Sequence, residues 1–162
     1  MSELRDRLLG VGARVWSAAP VWSRYALLHA LNPRYLIGVV GVIRNPAGEV
    51  LVLRHRFRTP WAWGLPGGFI QRREALPVAL ARELREETGL AVTIAPAVLD
   101  VELSGTGDYL SVAFGGTAPE GTMRYSSEIL DGGYFSAGAL PEGMYPYHAA
   151  LVSRIAKGER GT

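Results

Sequence analysis

Apolar positions change period several times along the 162 residues, and each change marks an element. Leu4, Leu8, Val11 and Val15 recur at helical spacing, Pro20 breaks the pattern, and Trp22 to Leu31 predicts a second helix that Asn32-Pro33 ends. Tyr35 to Arg44 is rich in Val and Ile. Asn45-Pro-Ala-Gly48 is turn material, and Glu49 to Arg56 completes a predicted β-hairpin. From about Ala75 to Thr88 the chain is mostly Ala, Leu, Glu and Arg, with Pro77 where a first turn tolerates its missing N–H and Gly89 as the stop, which predicts a helix. Ala91 to Leu103 and Tyr109 to Thr117 read as strands around a Ser104-to-Gly107 turn. Ala118 to Gly133 reads as loop, and Tyr134-Phe135 as a short strand. A last helix from Met144 or Tyr145 to Lys157 places Ala149, Val152 and Ile155 on its inner side. Helices before, between and after strands predict an α/β protein whose mixed sheet is covered on both faces. Residues 1–34 form a helical extension, 35–158 one domain, and 159–162 a frayed end.

A composition 48% hydrophobic and 20% charged suits one globular domain with a sizeable core. Without cysteine, disulfides, thiolate zinc sites and cysteine nucleophiles are excluded. No apolar run reaches the roughly 18 residues that span a bilayer, and Arg14 and Arg24 interrupt any secretory pattern, so a cytoplasmic location is expected. The net charge of only +2 gives no reason to expect DNA as a partner. The extension is different in character. Arg5, Arg7, Arg14 and Arg24 lie among its apolar residues with Trp16 and Trp22, a basic amphipathic pattern. Such a segment packs on its own domain, on a second copy in a homodimer, on another partner, or on a membrane surface.

The densest chemistry lies in GFIQRREALPVALARELREETGL, Gly68 to Leu90, with Glu74 ahead of the helix and Arg82, Glu83, Glu86 and Glu87 within it. At roughly 100° per residue, Glu83, Glu86 and Glu87 share an arc about 100° wide that adjoins Leu76, Leu80 and Leu84. Like charges at i,i+3 and i,i+4 repel by a few tenths of a kcal/mol per pair unless a positive partner sits between them. A solvated acidic face pairing with Arg82 and Arg85 is one answer. A divalent cation is the other, and hard oxygen ligands suit Mg²⁺ or Mn²⁺, which also bind the oxygens of a substrate phosphate.

Gly68, five residues, Glu74, seven residues, then Arg82-Glu-Leu-Arg-Glu-Glu-Thr-Gly-Leu90 resembles the Nudix box with every defining position filled, and Leu65-Pro-Gly-Gly68 resembles its lead-in. The resemblance implies an α/β/α sandwich and a pyrophosphohydrolase that cleaves a nucleoside diphosphate linked to another group, a nucleotide small-molecule substrate. It implies Glu83 and Glu87 as principal metal ligands, Glu86 alongside, a backbone carbonyl from Gly68, and Glu74 with Arg82 as a structural pair. The general base varies in this family; Glu86, or an acid in the later loop such as Glu128 or Glu120, is a candidate, with His55 and His148 as alternatives by chemistry, and Glu87 counts as catalytic through the metal it would hold. The missing cysteine counts against the isomerase branch. A nucleoside triphosphate, a nucleotide sugar, ADP-ribose and a capped RNA end all fit as substrates. The competing readings are a nucleotide-sensing module without turnover and a membrane-associated enzyme acting on a lipid-linked diphosphate.

Strand alternation places Arg54, Arg56 and Arg58 on one face, close enough to the glycine turn to receive phosphate oxygens or to end as a solvated strand tip. Trp61 and Trp63 either stack on a base, which would make Trp63 a substrate contact, or pack.

Overall fold

The computed structural model describes residues 2–119 and 121–159. It divides into two units, Met1–Tyr35 and Leu36–Thr162. In the first, helices α1 (Ser2–Ala18) and α2 (Val21–Leu31) are separated at Pro20, where a proline can begin a helix but not continue one.

The second unit is built on a mixed sheet. Strands β1 (Leu36–Arg44) and β2 (Val50–His55) form the expected hairpin, but they pair only beside the turn, at Arg44 and Val50. Beyond it they diverge, and two short strands fill the split: β3 (Trp63–Gly64) pairs with β2, and β4 (Gly67–Phe69) pairs with β1. The glycine turn therefore runs through the middle of the sheet. Strand β5 (Thr93–Leu103) is antiparallel to β6 (Tyr109–Thr117), and β6 runs parallel to β1, which makes the sheet mixed. Strand β7 (Ile129–Phe135) pairs with β2 along its free edge. It is longer than the Tyr134-Phe135 expected from sequence, because Asp131-Gly132-Gly133, turn-like in composition, lies extended opposite Arg54, Leu53 and Val52.

Alternation along β1 and β2 divides their side chains between two cores. Val39, Ile43, Leu51 and Leu53 face α3 (Leu76–Thr88) and pack with its Ala79, Leu80 and Leu84. Val40, Val42, Val50 and Val52 face α4 (Pro146–Ala156) and pack with Leu151 and Val152. Burial on both faces explains why these strands read as continuous apolar runs. Each such buried aliphatic side chain contributes on the order of 1.5–3 kcal/mol. Helix α3 ends at Gly89, whose φ of 72° is the left-handed conformation that closes a helix, with its N–H donating to the Arg85 carbonyl at 2.9 Å.

Candidate active site

Helix α3 lies across the sheet with its acids graded by depth. Glu87 is buried, Glu83 half-buried and Glu86 exposed. The Glu87 carboxylate accepts the Gly67 N–H at 3.1 Å, so the turn and the helix are tied at this point. Burial, with smaller contributions from the charges of Glu83 and Glu128, pushes the Glu87 carboxyl up to about 8, against the pull of Arg58 and the Gly67 N–H. Glu83 lies over Gly68: a Cβ added at Gly68 would stand 2.4 Å from the Glu83 carboxyl carbon. Only glycine leaves room for that carboxylate.

Arg82 supplies positive charge on the outer side. It holds Glu74 through the Nε–Nη2 edge of its guanidinium, Nε to Oε1 at 2.9 Å and Nη2 to Oε2 at 3.0 Å, and its Nη2 also donates to the Phe69 carbonyl at 3.0 Å. Glu74 also accepts the Gln71 N–H, so the pair fixes the 69–74 loop against the helix. Through Nη1, Arg82 reaches Glu83 at 2.8 Å and Glu86 at 3.2 Å. The bond to Glu74 is the largest influence holding the Arg82 guanidinium more firmly protonated than usual.

Among the described residues no three His, Cys, Asp or Glu side chains converge closely enough to chelate an ion among themselves. The donor set nevertheless suits hard divalent cations. Glu83 and Glu87 are hard oxygen donors on adjoining turns, one over Gly68 and one in a desolvated position that favours a positive neighbour, and these ions complete their shells with water and phosphate oxygens.

Of the three arginines expected at the strand end, Arg58 alone lines the site. The ladder shifts register between Arg54 and His55, the strand stops at His55, and Arg56-Phe57 turn, so alternation does not continue. Arg54 is exposed opposite Asp131. Arg56 donates from Nε to the Ser127 carbonyl at 2.8 Å and braces the loop that carries Glu128. Arg58 borders two adjoining clefts. One, of about 550 Å³, contains Glu83, Glu86, Glu87 and Glu128; the other, of about 380 Å³, is walled by Phe57, Trp61, Phe69, Tyr109 and Tyr145. Both are also lined by Gly67 and Gly68. Trp63 lines neither; it meets Phe135 edge-on at 5.8 Å and packs against the α4-side core. Glu120 lies outside the described residues.

Both candidate histidines are buried and neutral. Burial foremost, then Arg58, lowers each to about 3, His148 adding to the effect on His55. His55 Nδ1 stands 3.7 Å from Glu87, and with the imidazole neutral this contact is not an ion pair. His148 accepts the Leu65 N–H at its Nδ1, 3.0 Å away, and so supports the turn. Its folded pKa lies below the unfolded 6.5, so the unfolded chain takes up the proton first as pH falls. The stabilisation from neutral His148 is complete above 6.5 and lost below it. The stability difference between the wild type and His148→Asn is expected to shrink by about 2 kcal/mol from pH 6.5 to 5 in denaturant titrations.

Of the aromatic wall, sequence singled out only Trp61 as a ring that could stack on a base. Phe57 and Phe69 are 76% and 56% exposed at the mouth of the cleft, yet they lie 12 residues apart, and Tyr109 and Tyr145 come from β6 and the start of α4. No local pattern links them.

The family model described as the NUDIX domain matches residues 34–154, and the chain belongs to this family. Over 96 residues it is 30% identical to a MutT-like protein of Streptomyces ambofaciens, covering 59% of this chain and 60% of that protein. Over 60 residues it is 42% identical to an RNA pyrophosphohydrolase of Caulobacter vibrioides, covering 36% and 35%. Among solved structures, the MutT protein of Methanosarcina mazei Go1 superposes with a TM-score of 0.64 at 25% identity, over 79% of this chain and 97% of that one. The matches span 60% and 35% of the length of these two curated relatives.

Proposed function

We propose that this protein hydrolyses the pyrophosphate bond of a nucleoside diphosphate linked to another group, at the cleft between α3 and the glycine turn. One observation carries this reading: a buried Glu87 held by the Gly67 N–H and a Glu83 accommodated only over Gly68 face a cleft that continues, past Arg58, into an aromatic-walled one. Acids for a phosphate-bound cation, a guanidinium for phosphate oxygens and ring faces for a base thus lie in sequence along one groove. A Mg²⁺ or Mn²⁺ ion held by Glu83 and Glu87, with Glu86 and the Gly68 carbonyl alongside, would supply charge neutralisation on the phosphoryl oxygens.

The chain's own residues do the rest. Arg58 binds and orients the diphosphate. The base lies among Phe57, Trp61 and Phe69, which fixes the scissile phosphorus near the acids. Glu128, which lines the same cleft as Glu87, takes the proton of the attacking water, because a carboxylate engaged with a cation is a poor base. The names of the relatives support the same class, since pyrophosphate is the bond in an RNA pyrophosphohydrolase's name. Nucleoside triphosphates, nucleotide sugars, ADP-ribose and capped RNA ends are the candidate substrates.

The two arginines separate this reading from a merely structural one. Arg58→Ala is expected to raise KM for a diphosphate substrate about tenfold or more, the size of a lost charge-assisted hydrogen bond, with a smaller change in kcat. Arg56→Ala, which removes a hydrogen bond to the Ser127 carbonyl and lines neither cleft, is expected to leave KM within about twofold. Equal effects in steady-state kinetics would remove Arg58 from the site.

A further inference from the structure

We infer that helices α1 and α2 dock the protein peripherally on an anionic lipid surface. The charge of the chain is divided unevenly. Residues 1–35 carry five arginines against Glu3 and Asp6, a net +3, whereas residues 36–162 carry twelve basic and thirteen acidic side chains, a net −1. The basic character of the whole sequence therefore comes from the smaller unit.

Within that unit the arginines frame an apolar stripe. Leu4, Leu8, Val11 and Val15 fall within about 60° of one another on the helix and are 56–67% exposed. Arg7 and Arg14 follow one edge of the stripe, Arg5 and Trp16 the other. In α2, Trp22 and Leu31 are 74% and 72% exposed, and none of its residues is buried. An apolar band edged by guanidinium and indole groups matches the boundary between acyl chains and anionic headgroups: the band enters the hydrocarbon, the indoles sit at the interface, and the arginines meet phosphate. No helix among the described residues is long and apolar enough to cross a membrane, so the helices would lie in the plane of the surface.

Charge and apolarity together select this occupant. A second copy would bring +3 against +3. A nucleic acid would satisfy the arginines but leave Leu4, Leu8, Val11 and Val15 in water.

The test is co-sedimentation of the full chain with vesicles of phosphatidylcholine alone or with about 30% phosphatidylserine, at low and at about 0.5 M salt. Binding to the anionic vesicles is expected to be roughly tenfold stronger than to the neutral ones, to weaken with salt, and to be lost in the doubly substituted Leu8→Glu, Val15→Glu chain. These positions are exposed, so the variant is expected to keep the wild-type melting temperature. The inference is overturned by absence of binding to anionic vesicles, by undiminished binding of the double variant, or by dimerisation or RNA binding through these helices without any vesicle binding. None of these results depends on catalytic activity.

Discussion

Replacing Glu87 by glutamine is expected to lower kcat on the order of 10³-fold while leaving the metal-free protein at least as stable as the wild type. The first effect follows from removing the charge of a proposed ligand to the phosphate-bound cation in a desolvated position. The second follows from burial, which lifts the Glu87 carboxyl to about 8, so the fold opposes the charge that catalysis would use. A glutamine carbonyl still accepts the Gly67 N–H, and the tie between turn and helix survives. Steady-state rates with excess Mg²⁺ and thermal melts in chelator check the two halves. A variant that lost activity and melted well below the wild type would mark Glu87 as a structural residue.

Gly67→Ala is expected to be the most destabilising small substitution in the turn. Its φ of 148° is one that side chains rarely adopt, and an added Cβ would stand 2.1 Å from the Val39 carbonyl oxygen and 2.9 Å from the Val40 Cα. Both obstacles are backbone of β1, where Gly67 pairs with Val40, so neither can rotate away. Strain and clash together are expected to cost about 3 kcal/mol or more, a fall of roughly 6–12 °C in Tm. Gly68→Ala is expected to behave differently. Its Cβ would meet the Glu83 carboxylate, which can swing aside, so stability would change little while activity falls. The same substitution at adjacent glycines thus separates backbone space from ligand space, by melts and rates on the two variants. Equal stability losses would mean that the turn is less tightly fixed between β1 and α3 than these distances require.

The sequence was most informative where one residue type had one physical reason. Gly89 ends α3 because a left-handed residue is needed there, and the Ala-, Leu- and Glu-rich run before it could be read directly as a helix. The two-sided apolar runs of β1 and β2 were equally plain. Reading failed where long-range pairing overrode local preference. Asp131-Gly132-Gly133 became strand because β2 offered a free edge, and Arg56 left the predicted face because the strand ended one residue earlier. In the site, the acids of α3 were legible because they share one helix, whereas Phe57 and Trp61 follow β2, Phe69 ends β4, Tyr109 opens β6 and Tyr145 precedes α4, so these rings meet only in the folded chain. Trp63, two residues from Trp61, faces Phe135 instead, a distinction that alternation alone could not make.

The most direct measurement incubates the full chain with a panel of nucleoside diphosphate derivatives and Mg²⁺ or Mn²⁺ in ¹⁸O-labelled water, with products separated and weighed. Cleavage that depends on the metal, is lost in Glu87→Gln, and places one ¹⁸O atom on a single product phosphate is the predicted result. A panel in which nucleotides bind in the presence of metal, yet none is cleaved, would contradict the hydrolase and leave a binding module on the same fold.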